Sequence, residues 1–264
     1  MPRTRVHGVE LYYEVSGAGE PLLLVAGLGF GAWSWFRQIP DLSQHFRVIA
    51  FDNRGAGLSE KPDCEYTIEM MAEDAVALLR TLNVARAHVL GHSMGGYIAQ
   101  EIALRHPDVV SKLILVSTSF GGKNAVLMSP ETAAQMRSEL EAEDRETALR
   151  RGLSLRFSDR FLAEHPEIVE EFLARRKAHF PPAYAWQRQF AACLRFETES
   201  RLSALRIPTL IVTGSDDPIV PSDGRKRPMR CIRRIRPRRS RPLSLRRTHA
   251  LAGGPRCAHR QPGG

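Results

Sequence analysis

The chain has 264 residues, 43% apolar and 25% charged, the make-up of one large globular domain or two small ones with a core of their own. Its longest apolar stretch, Leu22 to Phe30, falls far short of the ~20 residues of a membrane span, and the charged start Met-Pro-Arg-Thr-Arg-Val-His has no apolar run behind it, so neither membrane nor secretory signal is expected. The formal charge of +9 is unevenly placed: residues 225–264 hold thirteen Arg, one Lys and no acidic residue, against 24 basic and 29 acidic residues before them.

In chain order, Glu10–Val15 alternates apolar and polar residues, the pattern of a half-exposed strand. Pro21–Ala26 is a short apolar run ending in Gly27-Leu28-Gly29, and Phe46–Phe51 is a second run, ending at Asp52. Runs this short, bounded by glycine or a polar turn, predict buried strands. Ile68–Leu82 carries Met71, Ala75, Leu78, Leu79 and Leu82 at helical spacing. Ala87–Leu90 predicts a third buried strand, and Tyr97–Arg105 a helix stopped by Pro107. Leu113–Val116 and Thr209–Val212 complete the set. Strands alternating with helices predict an α/β fold, a mostly parallel sheet with helices on both faces.

From Gly121 to about Ser200 the chain is charged and lacks buried strand runs; Pro130–Ala148 and Pro166–His179 are its best helices. The expected organisation is therefore a core of residues 1–120 and 200–224, a helical lid over 121–199, and an Arg/Pro-rich tail over 225–264. No Phe, Trp or Tyr follows Phe196, so the tail cannot build a core of its own.

Gly91-His92-Ser93-Met94-Gly95 is G-x-S-x-G, placed after a buried strand and before a helix. That context suits a nucleophilic serine, because a sharp strand-to-helix turn projects the hydroxyl into a site. The N–H of Met94 then lies at a helix N-terminus, where developing negative charge is favoured. The bland alternative is a glycine-rich turn with an incidental serine.

On these residues the sequence resembles the α/β-hydrolase family over about residues 5–222. Ala26-Gly27-Leu28-Gly29 looks like the family's H-G-x-G oxyanion loop, with Ala26 in place of histidine, which would make the Leu28 N–H a second oxyanion donor. Trp33 and Trp35 follow where the family often places an aromatic, and core packing is their other reading. Asp52-Asn53-Arg54-Gly55-Ala56-Gly57-Leu58-Ser59 looks like D-x-R-G-x-G-x-S, a structural turn in which Arg54 and Asp52 would pair. His106-Pro107 reads as a helix end. Gly214-Ser215-Asp216-Asp217-Pro218-Ile219-Val220-Pro221 resembles the segment that supplies the triad acid, with Asp217 as the acid and Asp216 capping the turn.

The family's order is serine, acid, histidine. Only His249 and His259 follow Asp217, and neither sits in the expected G-x-H-x-P-x-x-E context. His249 is the remaining triad candidate. A reading-frame shift near Gly224 would account for the departure: standard codons for residues 246–253, read one nucleotide later, admit Gly-x-His-Met-Pro-Trp-Leu-Glu. The tail could instead be a basic arm for nucleic acid, although it offers no aromatic for base stacking.

The resemblance thus implies a serine hydrolase of carboxylic esters or lactones, most like the enol-lactonase, small-esterase and cofactor-free haloperoxidase relatives. It implies a small-molecule substrate and no cofactor. A chain with a broken triad, catalytically impaired, is the alternative. Cys64, Cys193, Cys231 and Cys257 show no C-x-x-C pair and no metal-ligand spacing, which suits a reducing, cytoplasmic setting.

Overall fold

The computed structural model describes residues 2–221. The tail from residue 222 on, with His249, His259 and the place of the inferred frame shift, lies outside them. Seven strands form one sheet: β1 (Arg3–Val6), β2 (Val9–Ser16), β3 (Glu20–Val25), β4 (Phe46–Phe51), β5 (Ala87–His92), β6 (Val110–Val116) and β7 (Thr209–Val212), in the order β1-β2-β4-β3-β5-β6-β7. The β1–β2 and β2–β4 pairs are antiparallel, and all others are parallel. The apolar runs of β3, β4, β5 and β6 lie inside this sheet, and that of β7 is its partly exposed parallel edge among the described residues.

The helices are α1 (Ile39–Leu42), α2 (Ile68–Thr81), α3 (Met94–Arg105), α4 (Pro130–Glu141), α5 (Arg145–Arg151), α6 (Asp159–Glu164), α7 (Pro166–Ala178) and α8 (Ala183–Arg195). Side chains of a strand point alternately to opposite faces, so β3 sends Leu23 and Val25 into one core and Leu22 and Leu24 into another. The first core is completed by α2 and α3, through Met71, Ala75, Leu78, Leu79, Ile98 and Ile102. The second takes Trp33 and Trp35 from a short turn after β3, with Phe157, Phe161, Phe172 and Leu173 from the helical segment between β6 and β7. No helix among the described residues is long and apolar enough to cross a membrane.

Two expectations are corrected here. The single helix expected over Pro130–Ala148 is broken into α4 and α5, because Ala142 is extended and the Asp144 side chain accepts from Thr147 N–H, starting a new helix. Arg54 does not pair with Asp52. Its guanidinium makes a two-pronged ion pair with Asp74 on α2, Nε–Oδ2 2.6 Å and Nη2–Oδ1 2.8 Å, and both groups are buried. Asp52 instead accepts from the N–H groups of Ala32 and Leu58, each at 2.6 Å. Burial pushes the Asp52 carboxyl above its ordinary range, and these two bonds oppose the push.

Removing one partner of a buried ion pair strands the other, at about 3–5 kcal/mol. Asp74→Ala is accordingly expected to lower the free energy of urea unfolding by about 3 kcal/mol, while Arg54→Leu/Asp74→Leu together recovers most of that loss. Equal stability of Asp74→Ala and wild type would show that the pair contributes nothing.

Candidate active site

The parallel strands β3 and β5 end side by side, pairing through Val25 and Gly91, and the chain must turn at once from β5 into α3. Ser93 takes the turn at φ 54° and ψ −121°, a conformation that disfavours any side chain. Its neighbours leave no room for a Cβ: one on Gly91 would lie 2.2 Å from the Gly95 carbonyl oxygen, and one on Gly95 would lie 2.0 Å from that of Val25. Ser93 N–H donates to the Val116 carbonyl at 3.0 Å, and the Ser93 carbonyl accepts from Thr118 Oγ1 at 2.8 Å. Neighbouring strands thus fix the strained residue. Met94 opens α3, so its N–H has no intrahelical acceptor.

The loop after β3 lies against this turn. A Cβ on Gly27 would come within 3.2 Å of Ser93 Cβ and 3.3 Å of His92 Nδ1. The next residues are held by the helical segment rather than by the sheet. Gly29 N–H donates to Gln189 Oε1 on α8 at 2.8 Å, while the Gly29 carbonyl accepts from Arg176 Nη1 on α7. Gln189 Nε2 in turn donates to the Arg54 carbonyl at 2.7 Å. One residue of the loop is therefore held on both sides, its preceding peptide by α8 and its following peptide by α7.

Two cavities meet at Ser93. One is lined by His92, Ser93, Ser117, Phe157, Asp217 and Ile219. The other reaches from Leu28 and Ser93 past Met136 to Glu139, Arg156 and Arg176. The structure thus brings together Ser93, Met94, Leu28 and Asp217. His249 lies outside the described residues. Asp217 is buried and Asp216 exposed, and it is Asp217 Oδ1 that accepts from Ile219 N–H at 2.9 Å and Val220 N–H at 3.0 Å. The turn-capping part expected of Asp216 thus falls to Asp217.

His92 is the histidine nearest the serine in sequence. Its ring stands edge-on to Trp35, its Nδ1 is buried without a partner among the described residues, and burial lowers its pKa to about 4, partly opposed by Asp217. Among the described residues no group of three or more potential metal ligands occurs.

Sequence reasoning missed Arg156, Arg176 and Gln189. Arg176 sits in the run Arg175-Arg176-Lys177, which reads as a basic helix end. The signal that finds it is periodic: Val169, Phe172, Leu173 and Arg176 share one helical stripe, and the first three are apolar.

Residues 20–230 match the family described as alpha/beta hydrolase fold. A protein of Azorhizobium caulinodans named carbamate hydrolase RutD is 35% identical over 222 residues, 84% of this chain and 83% of that one. A hydrolase from Pseudomonas aeruginosa is similar in structure at a TM-score of 0.72, with 30% identity over 84% of this chain and 82% of that one. The enol-lactonase from Burkholderia xenovorans is similar at a TM-score of 0.69, with 28% identity over 81% of each chain.

The backbone at Ser93 supplies a direct test of the strain. A residue held there costs on the order of 1–3 kcal/mol, and glycine escapes the cost. Ser93→Gly is expected to be about 1 kcal/mol more stable than Ser93→Ala in urea unfolding, and a more stable alanine variant would show the turn to be unstrained.

Proposed function

The chain belongs to the α/β-hydrolase family, and on that premise we propose that it hydrolyses carboxylic esters or lactones through an acyl-enzyme on Ser93. The observation that carries this reading is the placement of Ser93 on a strained turn between β5 and α3, opening into cavities that Leu28 and Asp217 also line. In the reaction Ser93 Oγ attacks the scissile carbonyl as its proton passes to an imidazole. The N–H groups of Leu28 and Met94 hold the oxyanion that forms. Collapse of the tetrahedral intermediate expels the alcohol, which takes the proton back, and water then releases the acid by the same sequence. Asp217 orients the imidazole and stabilises its charged form. The helical segment over 121–199 acts as the lid and shapes the pocket.

The imidazole is not His92. A base whose pKa has fallen to about 4 takes a serine proton poorly at neutral pH, and the ring is packed against Trp35 and the Gly27 side of the turn. We assign the role to His249, or to the histidine that the shifted reading frame supplies in its place. The second reading, a chain impaired by a broken triad, is favoured by one observation: His92 is the one histidine lining the two cavities among the described residues. Sequencing the gene through codons 215–264 decides whether the shifted frame carries that histidine codon; an early stop there removes the frame-shift idea.

A fluorophosphonate probe is expected to label wild type but not Ser93→Ala, and absence of labelling in both supports the impaired chain. Where turnover is present, kcat/KM for a p-nitrophenyl ester is expected to fall about tenfold per pH unit below the ordinary histidine pKa of about 6.5, because only neutral imidazole accepts the proton. Activity that persists undiminished toward pH 4 would return the role to His92. His249→Ala abolishes turnover if the chain works as written.

A further inference from the structure

The cavity that runs from Ser93 toward α7 contains one charge with no partner. Arg176 is 2% exposed, lines that cavity, and has no carboxylate within ion-pair reach among the described residues. The guanidinium carbon lies 4.3 Å from the Phe30 ring centroid and 4.5 Å from that of Phe180, so two aromatic faces stack around it. Nη1 donates to the Gly29 carbonyl, while Nε is buried without a partner among the described residues.

The carboxylate that shares the cavity, Glu139, is already taken. It holds Arg156 in a two-pronged pair, 2.6 Å to Nη1 and 2.9 Å to Nη2. Burial, followed by the Arg156 charge, lowers the Arg176 pKa to about 9, which leaves it cationic at neutral pH. A buried cation beside an open cavity is costly unless something negative enters. Arg54, the other arginine buried within the described fold, has Asp74, and the partly buried Arg156 has Glu139.

We propose that Arg176 is the docking point for a carboxylate on the substrate, so that the ester or lactone cleaved at Ser93 carries a second, anionic group. This rests on the reading of Ser93 as the nucleophile at that cavity. A planar guanidinium that lines the cavity, with Phe30 and Phe180 rings flanking it and no carboxylate of its own among the described residues, suits a planar carboxylate.

The test is read in Ser93→Ala, where no turnover interferes, by titration calorimetry with two probe pairs. Monomethyl glutarate against dimethyl glutarate places the carboxylate on the acyl side. Acetoxyacetate against methyl acetoxyacetate places it on the alcohol side. In at least one pair the anion should bind about tenfold or more tightly than its neutral partner. Adding Arg176→Met should remove that preference and Arg176→Lys should keep part of it, whereas a purely structural arginine would weaken anion and neutral ester alike. Glu139→Gln leaves Arg176 in place and removes the nearby negative charge, so it should tighten the anionic probe several-fold. No preference for the anion in either pair, a preference that survives Arg176→Met, or an unchanged affinity in Glu139→Gln would each overturn the proposal. Fluorophosphonate labelling of the wild type is scored separately, so loss of the serine chemistry and loss of the anion site are distinct results.

Discussion

The site depends on an absence of volume. At the end of β5 the chain must reverse from strand to helix within one residue, and α3 can sit down on the sheet only because Gly91 and Gly95 present no Cβ to the Gly95 and Val25 carbonyls. That contact brings the first turn of α3 against the end of β3, so the helix N-terminus and the loop after β3 face the same space. Ser93 carries the resulting backbone strain, and the sheet holds it through Val116 and Thr118. A single added methyl at Gly95 would separate the pieces that the rest of the fold has assembled.

Charge burial is handled in two ways in this molecule. Asp52 and Arg54, adjacent but one in the chain, are both buried and turn away from each other: one ties down backbone N–H groups of two loops, the other reaches α2. Both are satisfied, and both serve the frame around the strand ends. Arg176 differs in having aromatic faces and a carbonyl for company instead of a carboxylate. Frame charges are closed circuits here, and the charge beside the cavity is an open one.

The parallel core was legible because its signal is local. Phe46–Phe51 and Thr209–Val212 are apolar runs whose bounds the strands reproduce, and α2 follows its apolar stripe from Ile68. Ser93 was legible because the glycines around it answer a steric demand that can be read in five residues. Strand β1 was missed, since Arg3 and Arg5 mark it as a solvent-facing edge with little apolar pattern to detect. The exchange of Arg54 from Asp52 to Asp74 was invisible for another reason: a partner twenty residues away is chosen by how α2 packs, which no local pattern encodes. Gln189 was beyond reach on the same ground, being a polar residue whose burial is decided by the fold of distant segments, whereas Arg176 shares the apolar stripe of α7 and only its partners were hidden.

The grip of α7 and α8 on Gly29 bears on which parts of the chain set the loop beside Ser93. The two contacts tie the loop after β3 to residues 147 and 160 positions further along the chain. Contacts that span so much sequence carry a loop-closure cost that the rest of the fold has to offset. Without these helices the Gly29 N–H and carbonyl would lose both side-chain partners, and the loop beside Ser93 would keep its local bond from Phe30 N–H to the Gly27 carbonyl. The sheet and α3 build the turn at Ser93, and helices far along the chain set the loop beside it by closing on one glycine.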